Sequence, residues 1–337
     1  MRLIVTRRRN VFLISAVVMS SILGFILWPA NSDYPSGKAG ARVDVSVPSG
    51  ATGSTIARAL QNAGVVKSSS RFISLELSDA RSQGISPGIH SIETHITSRL
   101  ALAEMLDPKL VRGLIRVREA STFQDVLKAI RSSSSITDDF TPKHEFSLPA
   151  FVANKSLEGV LAPADYAFAT GTTASQALQA MVDGFKRTAS SVGLLSGYQQ
   201  YSPYQVLTIA SMVQIEGDPA DYSKVAQVIY NRLHIGMALQ LNSTVQYAAH
   251  LRGQISLSTA ATQINSPYNT YRNAGLPPTP ISNPSKDAIA ASLHPTAGDW
   301  LYFITVKPHD TRFTNSFAEF ESWVTLYNKN VRAGLFK

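Results

Sequence analysis

Glu216 is the carboxylate whose neighbours best suit it to acid–base chemistry in this 337-residue chain. It closes an apolar run in which Val206, Leu207, Ile209, Ala210, Met212 and Val213 cover a broad helical face. Ser202 is a good N-cap and Pro203 suits the first helical position, where its missing N–H costs nothing. Gly217 is the expected left-handed stop, Pro219 prevents continuation, and a second helix follows. A carboxylate at the negative pole of a helix, beside apolar surface, is driven towards keeping its proton, as a general acid must. Spacing alone also describes a solvated glutamate near a helix end, and on spacing alone that simpler reading prevails. Two further acids, Glu158 and Asp165, sit in the turn-rich segment 157–166 and raise the prospect of two-carboxylate glycoside chemistry.

The elements around these acids belong to a globular chain with a generous core, 44% hydrophobic and 16% charged. There are no cysteines, which removes disulfides, zinc–thiolate sites and thiol catalysis. The seven histidines show no H-E-x-x-H or similar pairing, so neither a metal nor another cofactor is expected. The formal charge of +8 is concentrated at the start: Arg2, Arg7, Arg8 and Arg9 supply four charges, leaving +4 for the rest. No basic stripe interleaved with aromatics appears, and nucleic acid is not an expected partner. A mildly positive chain does suit an anionic polymer.

Residues 11–29 hold no charge and are long enough to cross a bilayer. The arginines before them predict a cytoplasmic tail at 1–10 and an extracytoplasmic remainder. The apolar run is longer than a usual signal-peptide core and no small-x-small site follows it closely, so an uncleaved single-pass anchor is expected. Residues 30–42 read as a linker. Alternation over 43–47, a turn and helical spacing over 52–62 then form a strand–turn–helix unit. A second helix over 70–82, a strand around 89–96 and a helix over 99–106 complete it. The first part returns some seventy residues on, where Ile115, Val117, Thr122, Val126 and Ile130 repeat Val45, Val47, Thr52, Ile56 and Leu60. A module over 43–131 with a partial second copy is expected, then a polar boundary at 132–147 and a larger domain over 148–337. The first copy resembles the LysM-like βααβ fold, which in many proteins binds glycan; a spacer or docking role fits its sequence equally well.

The segment from Ala210 to Glu216 resembles the signature helix of the YceG-like endolytic murein transglycosylases. The likeness continues in order through Val228-Ile229-Tyr230-Asn231-Arg232-Leu233, Ile235-Gly236-Met237, Leu239-Gln240 and Ser266-Pro267-Tyr268-Asn269-Thr270-Tyr271. It then takes in Gly275-Leu276-Pro277-Pro278, Asn283-Pro284, His294-Pro295 and Leu301-Tyr302-Phe303. This resemblance implies an α+β fold with an anchor, a LysM-like module and a mixed catalytic domain. It implies Glu216 as the catalytic glutamate of a peptidoglycan lytic transglycosylase, cutting the MurNAc–GlcNAc bond of nascent strands outside the plasma membrane. Peptidoglycan synthases and division proteins are the partners it suggests. Within the family motifs, Gln240, Asn269 and Tyr271 have side chains suited to sugar hydroxyl and acetamido groups. Glu158 follows the family's Leu-Glu-Gly motif, either contacting substrate or orienting the Glu216 region. Asn231 and Arg232 are expected to bond backbone near the Gly217 turn. His294 reads as structural.

The chain also departs from that pattern. Leu241-Asn242-Ser243-Thr244 replaces a Thr-Asp-Pro-Thr run, so an acid becomes Asn242. Ala164 replaces an acid before Asp165, Thr311 and Phe320 replace histidines, and Gln214 stands where a glutamate is frequent. These changes keep a second reading open, a catalytically silent scaffold that binds glycan or wall-synthesis enzymes.

Overall fold

The computed structural model describes residues 32–48, 50–133, 135–153, 156–168, 171–251 and 261–336. The apolar segment 11–29 lies outside them; among the described residues no helix is long and apolar enough to cross a membrane. Helices and small sheets alternate along the chain, the α+β mixture that the sequence leads one to expect. Two compact units are present, one ending at Leu114 and the other starting at Ile115.

The first unit begins with strand β1 (Arg42–Val47), helix α1 (Gly53–Asn62) and helix α2 (Ser69–Ser78). Strand β2 (Gly88–Glu93), helix α3 (Ser98–Met105) and the short β3 (Val111–Arg112) complete it. β1 and β2 run antiparallel, Arg42 opposite Glu93 and Val47 opposite Gly88, so the order β–α–α–β closes a two-strand ladder. Each helix starts on a side-chain cap: Thr52, Ser68 and Thr97 accept N–H groups that would otherwise be orphaned. α2 stops at Ser78, earlier than 82, because Asp79 breaks out into extended backbone and caps a 3-10 turn over Ala80–Gly84. Val45, Val47, Leu60, Phe72, Ile92 and Met105 meet in one core. Each such side chain contributes roughly 1.5–3 kcal/mol by leaving water. The preceding segment is not loose: Asp33 accepts the Ser98 N–H at 2.9 Å and the Ser98 hydroxyl at 2.5 Å.

The second unit opens with β4 (Leu114–Val117) and α4 (Phe123–Arg131), the repeated strand and Thr-capped helix. Ile115, Val117, Val126, Leu127 and Ile130 are buried like their counterparts in the first copy. This half-copy belongs to the larger unit, and the expected boundary at 132–147 is displaced to 114/115. Residues 132–147 are instead stitched to that unit. β5 (Ile136–Thr137) pairs in parallel with β7 (Thr172–Thr173), Asp139 accepts the Ser175 N–H at 2.8 Å, and Gln179 accepts the Ser147 N–H at 2.9 Å. β6 (Ala164–Ala167) pairs with β4.

Among the described residues five helices follow: α5 (Ala174–Ser191), α6 (Pro203–Glu216), α7 (Tyr222–His234), α8 (Asn242–Ala248) and α9 (Lys286–Leu293). The hairpin β8 (Tyr302–Lys307) and β9 (Asp310–Thr314), then α10 (Phe317–Arg332), end the fold. α6 is the axis, with every residue from Val206 to Gln214 buried. A helix without a polar face must be enclosed on all sides; α7, α9 and the loop over 279–285 enclose it.

One buried group gives the smaller unit a pH dependence. His90 is fully buried; its Nε2 bonds the Ser86 carbonyl at 2.8 Å, while Nδ1 has no partner among the described residues. Burial outweighs the carbonyl and pushes the imidazole pKa below its usual value. A lowered histidine pKa means that the unfolded chain takes up the proton first. Stability from this group is complete above the unfolded pKa of about 6.5 and is lost as pH falls towards the folded value. Thermal denaturation between pH 7.5 and 5.5 should therefore show a falling midpoint, flattened in His90→Gln; equal slopes in both proteins would refute this origin.

Candidate active site

Pro203 begins α6 and Ser202 caps it through a reciprocal box, its hydroxyl accepting the Gln205 N–H while Gln205 accepts the Ser202 N–H at 2.9 Å. At the other end the helix stops as expected after Glu216, by a different device. Gly217 is extended (φ −117, ψ 154) and not left-handed. A Cβ there would stand 3.2 Å from Tyr222 and from Val225, so glycine is needed for the close approach of the chain to α7.

Glu216 thus reaches the C-terminal end of a fully enclosed helix, and three other segments meet around it. Ser243, in the first turn of α8, donates its hydroxyl to Glu216 Oε1 at 2.5 Å and its backbone N–H to the same oxygen at 3.2 Å. Arg232 on α7 is buried, with Nε on the Leu301 carbonyl at 2.7 Å, Nη1 on the Leu239 carbonyl at 2.5 Å and its guanidinium over the Tyr302 ring. Tyr271 donates its hydroxyl to Asn242 Oδ1 at 2.6 Å. Burial raises the Glu216 pKa above the ordinary carboxyl value, while the two Ser243 donors and the Arg232 charge pull it down. Burial also raises the Tyr271 pKa, and the nearby Glu216 charge adds to that rise. Burial lowers the Arg232 pKa, against the fields of Tyr302, Glu216 and Tyr271. Arg232 supplies a positive charge that acts on Glu216.

The other residues singled out in the sequence divide between cleft and scaffold. Glu158 is buried and accepts the Phe123 N–H, at the first turn of α4, and the Tyr247 hydroxyl, each at 3.0 Å. It braces α8 four residues beyond Ser243, one helical turn away. Gly159 follows it at φ 82, where a Cβ would stand 2.5 Å from Pro280. Asn269 is fully buried, giving its amide to the Thr262 and Ile264 carbonyls and accepting the Tyr271 N–H. Its amide group is engaged in folding its own loop. Gln240 is exposed with φ 48, and its N–H holds the Thr270 carbonyl. Asn231 and Arg232 do not bond the Gly217 turn: Asn231 donates to the Gly298 and Trp300 carbonyls, and Arg232 reaches Leu239 and Leu301. Asp165 is held by Arg116 at 2.7 Å, in a bidentate pair away from Glu216.

Sequence reasoning missed the roles of four residues. Ser243 was visible only as a departure from a family run, with no local signal linking it to a residue 27 positions earlier. Thr270 and Thr244 share a hydroxyl bond at 2.8 Å that fastens the Tyr271 loop to α8. Asn283 accepts the Leu161 N–H and donates to the Ser121 carbonyl, joining the Leu-Glu-Gly loop, the strand–helix half-copy and the loop around α6. Beside α8, a cleft of about 640 Å³ is lined by Asp125, Glu158, Tyr247, His250, Pro267 and Tyr268. The Tyr247 and Tyr268 rings lie 5.0 Å apart in its wall.

The chain matches the YceG-like family over residues 45–325. It is a member of that family. An endolytic murein transglycosylase of Bacillus subtilis is 32% identical over 306 residues, covering 82% of each chain. One of Streptococcus pneumoniae is 39% identical over 157 residues, which are 45% of this chain and 28% of that longer protein. Among solved structures, a yceG-like protein of Listeria monocytogenes superposes with a TM-score of 0.54 at 25% identity, over 84% of this chain and 99% of that one. Family membership thus takes in both units, and Glu216 and its surroundings lie within the matched stretch.

The bracing role of Glu158 has a direct consequence. In Glu158→Leu the Phe123 N–H loses its acceptor, leaving a partly buried group unsatisfied at a cost of about 1–3 kcal/mol. Chemical denaturation should show that loss, and an unchanged midpoint would mean the carboxylate braces nothing.

Proposed function

We propose that this protein is a peptidoglycan lytic transglycosylase in which Glu216 alone serves as general acid and then general base. The observation that carries the reading is a carboxyl at the end of an enclosed helix, pinned through one oxygen by Ser243 and pushed towards its protonated form by burial. A hydrolase of the ordinary type needs a partner carboxylate about 5–9.5 Å away to activate water or form a glycosyl-enzyme. Glu158 and Asp165, the sequence candidates for that partner, are engaged with α4, Tyr247 and Arg116. The named activity of the relatives in Bacillus and Streptococcus supports the same substrate.

One acid suffices when the nucleophile belongs to the substrate. Protonated Glu216 gives its proton to the oxygen between MurNAc C1 and GlcNAc C4, and the C1–O bond breaks with O4 leaving as a hydroxyl. The Glu216 carboxylate then removes the proton from the MurNAc 6-hydroxyl as O6 closes onto C1. A 1,6-anhydro ring forms, no water is consumed and the enzyme is returned protonated. A raised pKa serves the first half of this cycle, and the Ser243 donors support the carboxylate of the second. The cleft beside α8, with Tyr247 and Tyr268 in its wall, suits the pyranose faces of a strand continuing past the cut. Endolytic cutting of nascent strands fits an anchor at 11–29 with its arginine-rich tail in the cytoplasm and the rest outside the plasma membrane. In that arrangement the β–α–α–β unit acts as a LysM-like glycan-binding module near the membrane, and peptidoglycan synthases are neighbours on the same strands.

Digestion of purified peptidoglycan followed by mass analysis should give 1,6-anhydro-MurNAc ends. Glu216→Gln should lower the rate by about 10²–10⁴-fold, the usual worth of a general acid–base group, with fold and glycan binding intact. Reducing MurNAc ends would indicate a hydrolase, and binding without soluble product from the unaltered protein would indicate a scaffold.

A further inference from the structure

We propose that Ser243 is a positioning residue for Glu216, pinning Oε1 as a permanent acceptor so that the transferable proton is carried on Oε2. The inference rests on the reading of Glu216 as the acid–base group and adds to it which oxygen works and what selects it.

The geometry is specific to one oxygen. Both donors of Ser243, the hydroxyl at 2.5 Å and the N–H at 3.2 Å, converge on Oε1, whereas Oε2 has no hydrogen-bond partner among the described residues. With the proton on Oε1 the Ser243 hydroxyl would have to turn round and accept, and the fixed N–H would face the poorer acceptor of the two carboxyl oxygens. The neutral carboxyl therefore places its proton on Oε2 and keeps Oε1 as the carbonyl acceptor. After proton transfer the same two bonds persist and strengthen, since they now end on a charged group. One side chain thus holds the carboxyl in a single orientation through both halves of the cycle.

Ser243 is itself held. It is buried, at 4% exposure, on the first turn of α8. That turn is fastened by Thr244 to the Leu241 carbonyl and to Thr270, and Leu241 donates its N–H to the Thr270 hydroxyl at 3.0 Å. One turn on, Tyr247 ties the same helix to Glu158. The ionisable groups around the carboxyl are Arg232 on α7, backed by Tyr302 on β8, and Tyr271 in the loop after α8. Two residues along its own chain, Asp218 pairs with exposed His309 at 3.3 Å. Of these neighbours, Ser243 makes the hydrogen bonds to Glu216 and Arg232 acts through its charge.

Removing the hydroxyl has a signed effect. The Ser243 donors favour the charged carboxyl, so their loss leaves burial less opposed and raises the Glu216 pKa. A general acid works only while protonated, so activity falls on the alkaline side as this group titrates. In Ser243→Ala, which retains the backbone N–H, the alkaline limb of kcat/KM on soluble glycan strands should move up by about one pH unit. The plateau rate should fall roughly tenfold as the carboxyl loses its single orientation. Ser243→Thr keeps the hydroxyl and should restore both limb and rate.

A structural role would lower activity evenly across pH and leave the limb where it is, and that result overturns the proposal. Should Ser243→Ala fail to fold, Ser243→Cys, with a weaker donor of similar size, must shift the limb in the same direction by less; an unmoved limb there is equally fatal. Glu216→Gln, run alongside, separates the two levels. If it stays active, the underlying reading falls; if it is inactive while the Ser243 limb is unmoved, only the present inference falls.

Discussion

Burial of the Glu216 carboxyl is the constraint on which the rest of the larger unit depends. A carboxylate taken out of water is unstable unless it is neutralised or given donors. Here the two act against each other: burial favours the proton, two donors from Ser243 favour its loss, and the Arg232 charge leans the same way. A tenfold change in the affinity for that proton corresponds to about 1.4 kcal/mol of imbalance between these effects. A group so balanced can give a proton and take one back. Excess in either direction would leave a permanent acid or a permanent anion.

The surrounding scaffold keeps that balance fixed. α6 is buried on all sides, and the loop over 279–285 meets its few polar side chains. The Ser211 hydroxyl accepts the Ile281 N–H, Ser282 donates to the Ser211 carbonyl, and Gln214 bridges the Tyr222 hydroxyl and the Ser285 N–H. On the opposite side Glu158 braces Tyr247, Tyr247 belongs to α8, and α8 presents Ser243. Arg232 closes the ring by tying α7 to the Leu239 and Leu301 carbonyls. These are buried and partly buried bonds, most of them between segments remote in sequence, so loss of any one is felt through the others.

Local features of this architecture were legible in the sequence because they have local causes. Ser202 and Pro203 start α6, Pro219 forbids its continuation, and alternation over 43–47 with Thr52 marks the first strand and helix. What was not legible depends on contacts across the chain. Gly217 reads as a left-handed stop, yet it is extended, because the need is for proximity to Tyr222 and Val225. Asn269 and Gln214 have polar side chains that sequence cannot distinguish from ligand contacts, and both are consumed by backbone or buried partners. The polar run at 132–147 suggests a boundary, but its hydrogen bonds to α5 and the β5–β7 ladder hold it in the larger unit. Ser243 depends on a fold-level juxtaposition that no spacing rule encodes.

A single acid at the reacting centre is the central claim, and a crystal structure of the Glu216→Gln protein with a murein tetrasaccharide spanning the site tests it most directly. The account predicts the scissile glycosidic oxygen within about 3 Å of the outward atom of the side chain at position 216. The MurNAc 6-hydroxyl should lie on the same side, and no other carboxylate should be near C1. A second carboxylate at the C1 face opposite the leaving oxygen, at the separations of two-acid glycosidases, would contradict it.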